Sequence, residues 1–524
     1  MTQEKPKAYL IGAGIGSLAA AAFMIRDGNV GGRDIAIFEA ASRPGGSLDA
    51  AGDAAAGYSM RGGRMFTTDN YECTWDLFKS IPSLSDKTRS VYDETIEFNE
   101  RYRAHSHARL VDKHRAKIPV ASMGFSMRDR MQLLTLADSD ERDLSGSRIT
   151  DWLSPHFFET NFWFMWSTTF AFLPWHSATE FKRYLHRFLL EFSRIETLAG
   201  VKRTIYNQYD SLVRPLQQWL VDRGVVIHTN CTVRGLDHRY DNGRFVVTGM
   251  RCEKDSRAAY YAIDEDDWVI LQNGSMTDDS SLGSMSGAPA KYDKTHSTGW
   301  DLWSSLAHGR PEFGNPQAFN QSPAQSCWES FTVTLKTSVF FDQMTSFSGN
   351  QPGTGGLVTF KDSNWVMSIV LPHQPHFLGQ PRDVQVFWGY GLYPDRVGNF
   401  VPKPMDACSG QEILQELCGH LRFDSDTVAD AICIPCRMPF ITSMFMPRAQ
   451  SDRPLPVPPS SKNLAFVSQF VEIPDDVVFT VEYSIRAAQT AVYSLLSIER
   501  TLPPVTPHDR SLRARFDALL KAFE

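Results

Sequence analysis

Residues 9–39 read YLIGAGIGSLAAAAFMIRDGNVGGRDIAIFE, and this stretch decides how the chain folds. An apolar run leads into a glycine-rich turn, an alanine-rich helical segment follows, and a second apolar run ends in an acidic residue. This order is typical of a dinucleotide-binding βαβ unit, in which the first N–H groups of the helix point at phosphate oxygens. The stretch therefore predicts a Rossmann-like domain in an α/β protein.

The residues of the glycine turn have separate roles. Gly12 permits the tight turn, Gly14 lets the backbone approach a pyrophosphate, and Ser17 holds the position of the third glycine. Glu39 follows about 20 residues later, where a carboxylate can accept a ribose hydroxyl. The predicted cofactor contacts of this segment are Gly12, Gly14, Ile15, Gly16, Ser17, Glu39 and Ala40.

Two glycine pairs, each accompanied by arginine, follow the ribose acid. They are SRPGGS at residues 42–47 and RGGR at residues 61–64. Two such turns close together favour FAD over a nicotinamide cofactor, whereas two surface turns with solvated arginines are the alternative. A later apolar strand ends in NGS at residues 273–275, where an FAD fold requires its second contact. The further predicted cofactor contacts are Arg43, Gly46, Ser47, Arg61, Gly62, Gly63, Arg64, Asn273, Gly274, Ser275, Ser468 and Phe479.

The composition excludes several classes of function. The chain has 53 Lys and Arg against 60 Asp and Glu, so no basic excess points to nucleic acid. Its eight cysteines are scattered, and the one CxxC, at residues 433–436, has no second pair to complete a zinc site. Residues 2–7 are polar and do not resemble a signal peptide, and no apolar run is long enough to span a membrane. We predict a cytoplasmic protein without a metal site.

The domain organisation follows from shifts in composition. The chain becomes charged and irregular after residue 85, which predicts departure into a second domain, and RPLPVPP at residues 453–459 is typical of a stiff linker. We predict a discontinuous FAD-binding domain, an inserted α+β substrate domain and a C-terminal helical tail. Their residues are 1–85, 199–290 and 455–496 for the first, 86–198 and 291–450 for the second, and 497–524 for the tail.

Two stretches have apolar patterns that suggest contact with an apolar ligand or with a membrane. NFWFMWSTTFAFLPWH at residues 161–176 is the most aromatic part of the chain, and Pro174 is predicted to end it as a helix. It is either a core helix or a wall of a pocket for a long apolar ligand. The tail places Leu512, Phe516, Leu519, Leu520 and Phe523 at helical spacing beside four basic residues. Such a helix either packs on the body or lies on a membrane surface, which would make the protein peripheral to a membrane.

Ten separated blocks in one order resemble a known family. They include YECTWDLF at residues 71–78, EFKRYLHRF at 180–188, YNQYDSL at 206–212, NGSMTD at 273–278, WGYGL at 388–392 and FTVEYSIR at 479–486. With these blocks the chain is identified as a member of the oleate hydratase family, once called myosin-cross-reactive antigens. The resemblance implies an FAD-binding fold shared with amine oxidases and desaturases. It also implies addition of water to the cis-9 double bond of oleic acid, which gives a 10-hydroxy fatty acid.

The chemistry of that reaction gives roles to the residues. An isolated alkene cannot stabilise an adjacent anion, so hydration begins with protonation. The resemblance implies that Tyr184, in the EFKRY segment, delivers the proton, because a phenol is neutral near pH 7 and can donate in a dry pocket. The flavin undergoes no net redox change, so its role is structural and electrostatic.

The chain departs from the family at the residue that activates water. Relatives continue the second arginine turn with glutamate, as RGGRE, whereas this chain has Met65 followed by Phe66. A thioether cannot accept a proton, so either another group orients water or the activity is altered. Asp69 and Glu72 are nearby in sequence. The alternative functions are a flavin-dependent oxidoreductase or double-bond isomerase acting on unsaturated fatty acids, and a non-catalytic fatty-acid-binding flavoprotein.

A second departure concerns the fatty acid carboxylate. Where relatives carry Thr-x-Asn ahead of QPxF, this chain has Val370 and Pro372. The remaining predicted head-group partners are Gln208, which we also count as a candidate catalytic residue, His373, Gln374 and Thr442. The chain lacks the N-terminal extension of many relatives, so their homodimer is one expectation and a monomer is the other.

Overall fold

A computed structural model describes residues 5–292 and 297–523 of the chain. Residues 1–4 belong to the polar start on which the prediction of no signal peptide rests, and they lie outside the described residues. Residue 524, the last of the predicted tail, lies outside them as well. No helix in the described ranges has the length and apolarity needed to cross a bilayer.

The strands are β1 Ala8–Ile11, β2 Ile35–Phe38, β3 Ala50–Asp53, β4 Gly57–Met60, β5 Leu110–Val111, β6 Val226–His228, β7 Cys231–Asp241, β8 Arg244–Lys254, β9 Arg257–Ala262, β10 Trp268–Leu271, β11 Ser281–Leu282, β12 Trp328–Leu335, β13 Val358–Phe360, β14 Met367–Val370, β15 Gln385–Gly391, β16 Ile432–Met438 and β17 Leu464–Phe466.

The helices are α1 Ile15–Arg26, α2 Glu72–Phe78, α3 Val91–Arg101, α4 Met127–Asp138, α5 Glu141–Leu144, α6 Asn161–Phe170, α7 Ala178–Arg187, α8 Leu189–Phe192, α9 Arg214–Val221, α10 Gly299–Ala307, α11 Gln317–Asn320, α12 Pro323–Ser326, α13 Val339–Ser348, α14 Gly410–Leu421, α15 Val481–Leu495 and α16 Leu512–Phe523. A π-helical turn, Tyr209–Val213, precedes α9.

The first sheet is built from segments that are far apart in the chain. Its five strands are all parallel and run in the order β17-β10-β1-β2-β6. Four of them, β1, β2, β10 and β17, are short apolar runs, which is typical of parallel strands covered on both faces. Helix α1 follows β1 and packs on α15 through small alanine side chains. The predicted Rossmann-like α/β unit is confirmed.

The second sheet has seven strands, in the order β11-β16-β12-β15-β14-β13-β5, and only the β13–β5 pair is parallel. Strand β4 lies beside it, because the backbone N–H groups of Tyr58 and Met60 donate to the hydroxyls of Thr334 and Thr332 on β12. The loop at residues 61–64 leaves β4 at this point. Gly62 and Gly63 of this loop lie against Trp328 of β12 and Trp388 of β15.

Several local predictions can be compared with the structure. Asn242-Gly243 between two apolar runs predicts a hairpin turn, and both residues do adopt positive φ between β7 and β8, as a tight hairpin turn requires. The aromatic helix α6 ends at Phe170 and not at Pro174, since Ala171 already adopts a left-handed conformation with φ of 64°.

The domain boundaries stay a prediction. Strand β11 falls within residues 199–290, which we assign to the FAD-binding domain, yet it pairs with β16 in the second sheet. The sequence of residues 178–198 predicts one helical run, but the helix is interrupted after α7, because Phe188 has ψ of 31°, and it continues only as the short α8.

Candidate active site

The glycine turn opens into a cavity at the carboxyl ends of β1, β2 and β10. Gly12, at φ +88°, makes the turn, and its N–H donates to the carbonyl of Phe38 at 2.8 Å. The cavity measures about 280 Å³. The predicted cofactor contacts that line it are Gly12, Gly14, Ile15, Glu39, Ala40, Arg43, Gly46, Ser47, Arg61, Gly274, Ser275 and Ser468.

The chemistry of this cavity fits a dinucleotide. The Glu39 carboxylate accepts from the N–H groups of Ala13 at 2.7 Å and Ala41 at 2.9 Å, which fixes it at the end of β2. Burial raises the pKa of Glu39. A Cβ added to Gly14 would lie 2.8 Å from Oε1 of Gln272, which accepts from the Gly14 N–H at 2.9 Å, so the glycine lets a polar group approach the backbone of the turn. The residues present therefore fit an FAD whose pyrophosphate lies against the turn and whose ribose lies beside Glu39.

The remaining predicted cofactor contacts are outside the lining of this cavity. Ser17 is fully buried in α1, and Asn273 donates to the carbonyl of Phe470 at 3.1 Å. Gly16, Ser17, Gly62 and Asn273 are not among the residues that line this cavity, whereas Gly63, Arg64 and Phe479 line a second cavity.

This second cavity, which we call the alkene chamber, measures about 70 Å³. Tyr184 of α7 is buried in its wall, and its hydroxyl donates to the carbonyl of Val478 at 2.6 Å. Burial raises the pKa of Tyr184 well above its usual value, so the phenol keeps its proton. The rings that contact Tyr184 are those of Phe170, Phe172, Phe188 and Phe445. The chamber therefore holds a neutral acid in apolar surroundings.

Met65 and Arg64 also line the alkene chamber. The Met65 carbonyl accepts from the Tyr71 hydroxyl at 3.0 Å, which holds the backbone of the loop. Arg64 stacks over the Phe479 ring, 5.0 Å from its centroid, and burial lowers the pKa of Arg64 to about 10. The chamber thus has a cation on one side and a thioether where relatives have a carboxylate.

The two carboxylates that follow Met65 in the sequence do not replace the missing one. Asp69 pairs with Arg194 at 3.6 Å. Glu72 pairs with Arg187 at 2.6 Å and with Arg486 at 2.9 Å. Neither is among the residues that line the alkene chamber.

Sequence reasoning missed a different carboxylate. Glu191 of α8 lines the alkene chamber and is 2% exposed. Burial raises the pKa of Glu191. Its position seven residues after Tyr184 is two helical turns away, and that spacing was a signal that both side chains could face one cavity. The interruption at Phe188 weakens this signal, because helical spacing then no longer fixes the direction of Glu191.

A third cavity, which we call the head-group chamber, measures about 40 Å³ and shares Gly63, Arg64 and Met65 with the alkene chamber. His376 lines it and is 5% exposed, and its two ring nitrogens have no hydrogen-bond partner within residues 5–292 and 297–523. Burial lowers the pKa of His376 to about 3, so the imidazole is neutral. These two nitrogens are free to bind a ligand in the chamber.

Arg203 brings a positive charge to the head-group chamber. Its guanidinium donates to the carbonyls of Gly353 at 3.4 Å and Gly355 at 2.8 Å, and it pairs with no carboxylate of the described chain. Burial lowers the pKa of Arg203 to about 10, which leaves it charged near neutral pH. An anion in the chamber would supply the missing counter-charge.

The predicted head-group partners divide into two groups. His373 and Gln208 line the head-group chamber, and Gln208 accepts from the Arg64 N–H at 3.1 Å and donates to the Thr204 hydroxyl at 3.1 Å. Gln374 and Thr442 line neither chamber. The Gln374 side chain bonds both backbone groups of Val386, and the Thr442 hydroxyl donates to the Ser326 carbonyl. Because these bonds occupy their polar atoms, Gln374 and Thr442 are not part of the candidate site.

Comparisons with solved structures bear on the fold alone. Cyclohexylamine oxidase from Brevibacterium oxydans IH-35A superposes with a TM-score of 0.54 at 12% identity, over 95% of this chain and 100% of that one. A putrescine oxidase superposes with a TM-score of 0.52 at 12% identity, over 94% and 99%. The predicted amine-oxidase-like fold class is confirmed.

Comparisons with protein sequences identify the family. An oleate hydratase of Streptococcus pyogenes serotype M49 (strain NZ131) is 36% identical over 535 residues, which covers 99% of this chain and 89% of the relative. A linoleate hydratase of Lactiplantibacillus plantarum is 33% identical over 565 residues, which covers 99% of each. The MCRA family matches residues 5–493. The resemblance found in the sequence is confirmed, and the chain belongs to the MCRA family.

Proposed function

We propose that the protein is an FAD-containing hydratase that adds water to the cis-9 double bond of oleic acid and similar unsaturated fatty acids. The observation that carries this proposal is Tyr184, a protonated phenol enclosed by aromatic rings in a chamber beside the cofactor cavity. The oleate and linoleate hydratases that resemble the chain over nearly its whole length support the same reaction.

In this proposal the Tyr184 hydroxyl turns from the Val478 carbonyl to the alkene and transfers its proton to one carbon, and water adds to the next carbon. The apolar walls exclude bulk water, so the cation that forms is not quenched by solvent and electrostatic interactions in the chamber are strengthened. General acid catalysis supplies about 10²–10⁴-fold of the rate, and positioning supplies the rest.

FAD would be held by the glycine turn, by Glu39 and by the arginine turns around Arg43 and Arg61. When bound it would supply electrostatic stabilisation to the reaction, with no net redox change. The cofactor contacts that we predict from the sequence, including those outside the cavity lining, belong to this proposal.

The fatty acid carboxylate would bind in the head-group chamber, with the double bond in the alkene chamber. Arg203 supplies the counter-charge, and His376, Gln208 and His373 supply polar contacts. The two chambers share part of their walls, so one acyl chain can reach both.

We further propose that the protein is cytoplasmic and touches membranes through α16. That helix packs on the body through Ala514, Ala518 and Lys521. Its apolar stripe is left exposed, with Leu512 83% and Phe516 59% exposed. An exposed stripe beside basic side chains is typical of a helix that lies on an anionic lipid surface, where fatty acid is available. Self-association as a homodimer is part of the same proposal, with a monomer as the alternative.

The test is direct. Protein reconstituted with FAD is mixed with oleate, and the product is analysed by mass spectrometry. Gain of one water supports the hydratase. Conversion with flavin bleaching would assign the oxidoreductase, an unchanged mass with a moved double bond would assign the isomerase, and binding without conversion would assign a carrier.

A further inference from the structure

The alkene chamber contains an acid but has methionine where relatives place the carboxylate that activates water. It nevertheless contains one carboxylate from another part of the chain. Glu191 lies on α8, and Tyr184 lies on α7 just before it, so both reach the same chamber from adjoining turns. Glu191 can accept a proton from a water molecule only if one of its carboxylate oxygens is free of other hydrogen bonds.

One oxygen of Glu191 is fixed and the other is free. Oε1 accepts from the Arg194 guanidinium at 2.6 and 3.2 Å. Gly200 lies against this pair, and a Cβ there would run into both Oε1 and the guanidinium. Oε2 is buried and has no hydrogen-bond partner in the part of the chain that the structure describes. A buried, unpaired carboxylate oxygen is costly unless water or a ligand satisfies it.

The chamber has space for that water. Its volume of about 70 Å³ exceeds the roughly 10–15 Å³ that one water requires. Arg64 and Trp328 also line it, and each has a buried N–H group with no hydrogen-bond partner among the described residues, so they offer further polar contacts. A water between Glu191 and the alkene would satisfy Oε2 and stand ready to react.

We propose that Glu191 is the general base that activates water in the alkene chamber. This inference rests on the proposed hydratase function and adds a catalytic residue to it.

The step balances without any further reactant. The π electrons of the alkene take the phenolic proton of Tyr184 and form the new C–H bond. A lone pair of the water oxygen forms the C–O bond at the neighbouring carbon, while Oε2 of Glu191 accepts a proton from the water. Transfer of that proton from Glu191 to the Tyr184 phenolate restores both residues, and the net change is addition of one water.

Two other buried carboxylates lie near this region. Glu180 also has an unpaired Oε2, but its Oε1 pairs with Arg448 and Arg453, each at 3.0 Å. Glu482 accepts from the N–H groups of residues 73 and 74 and pairs with Arg486. Neither lines the alkene chamber. Glu191 combines a position in the chamber with an unpaired oxygen. Burial also raises its pKa, which makes the carboxylate a stronger base, and Arg194 favours its ionised form.

The first test is Glu191→Gln in the FAD-loaded protein. The amide keeps the shape and the contact with Arg194 but cannot accept a proton. We expect kcat for oleate to fall by about 10²–10⁴-fold, with KM and the dissociation constant of FAD unchanged. The matched control is Glu253→Gln, which removes an exposed carboxylate paired with Arg234 on β7 and should leave kcat unchanged.

The second test is rescue. Glu191→Ala leaves a space into which formate can bring a carboxylate, so added formate should restore hydration in this variant and not in Glu191→Gln. The hydration rate with formate is compared with the rate with chloride in the same preparation of Glu191→Ala. The fraction of folded protein therefore does not affect the result. Normal kcat in Glu191→Gln, or equal effects of formate and chloride on Glu191→Ala, would overturn the inference. If the unsubstituted protein does not hydrate oleate, the proposed function fails instead.

Discussion

The cofactor cavity and the two reaction chambers are built in different ways. The cofactor cavity takes its glycine turn and the acid Glu39 from one continuous βαβ unit, and residues 231–233, 274–278 and 468–470 also line it. The chambers are formed by side chains from distant segments, as Met65, Tyr184 and Trp388 show. The backbone geometry of one short segment can be recognised in a sequence. Which side chains from distant segments meet in one cavity is known only from the three-dimensional structure.

The strongest test of this contrast is Gly14→Val. Gly14 has φ of −73°, which valine can adopt, and the nearest atoms to an added Cβ belong to the flexible end of Gln272. The fold should therefore survive, while the side chain blocks the pyrophosphate and FAD is lost completely. Flavin absorbance after gel filtration measures retention, and circular dichroism checks folding. Purification with stoichiometric FAD would place the phosphate turn elsewhere.

The next test removes the acid of the alkene chamber. Tyr184→Phe deletes one hydroxyl and leaves the aromatic packing in place, so FAD should still bind. Hydration of oleate should fall by about 10²–10⁴-fold, because the proton donor is lost. The rate is measured from the hydroxy product by mass spectrometry, with Tyr240→Phe, at an exposed site on β7, as control. A near-normal rate in Tyr184→Phe would remove the phenol from the mechanism.

The head-group chamber is tested by Arg203→Leu. Loss of a charge-assisted contact of about 1.5–3 kcal/mol should raise KM for oleate by about 10–100-fold. KM for methyl oleate, which has no charge to pair, should change little. Arg234→Leu, which removes an exposed arginine, is the control. An equal rise for acid and ester would show that Arg203 only supports the fold.

Met65→Glu tests whether the alkene chamber is packed for the Met65 thioether and no longer accommodates a carboxylate at this position. The new carboxylate would share the chamber with Glu191, and like charges there oppose ionisation of both. We expect a loss of about 1–3 kcal/mol in the free energy of unfolding and a lower rate of hydration. Denaturant unfolding and product formation measure the two effects. A large gain in rate would mean instead that water activation limits the present enzyme.

The smallest expected effect belongs to the tail. Leu512→Ser combined with Leu520→Ser changes only exposed side chains of α16, so folding and hydration of detergent-dispersed oleate should be unchanged. Sedimentation with anionic vesicles should decrease in part, because apolar area is lost while the basic residues remain. Unchanged sedimentation would show that the stripe does not contact lipid.

The features of the site that could be predicted from the sequence are those that one continuous segment forms. The turn at Gly12 and the acid Glu39 were predictable because a βαβ unit is local. Glu191 and His376 were missed, because their importance lies in atoms left unpaired by the surrounding fold. Gln374 and Thr442 were assigned from neighbouring motifs, but their polar atoms are used by backbone partners. Sequence position gives proximity along the chain and does not give side-chain direction.

The central claim is that these chambers hydrate an alkene while the flavin stays oxidised. The most direct measurement follows flavin absorbance during turnover of oleate in water labelled with heavy oxygen, and then determines the label in the product. We predict an unbleached flavin spectrum and one labelled hydroxyl per product molecule, with both the product and its label nearly absent in Tyr184→Phe. Flavin bleaching in step with substrate loss, or a product without label, would contradict the account.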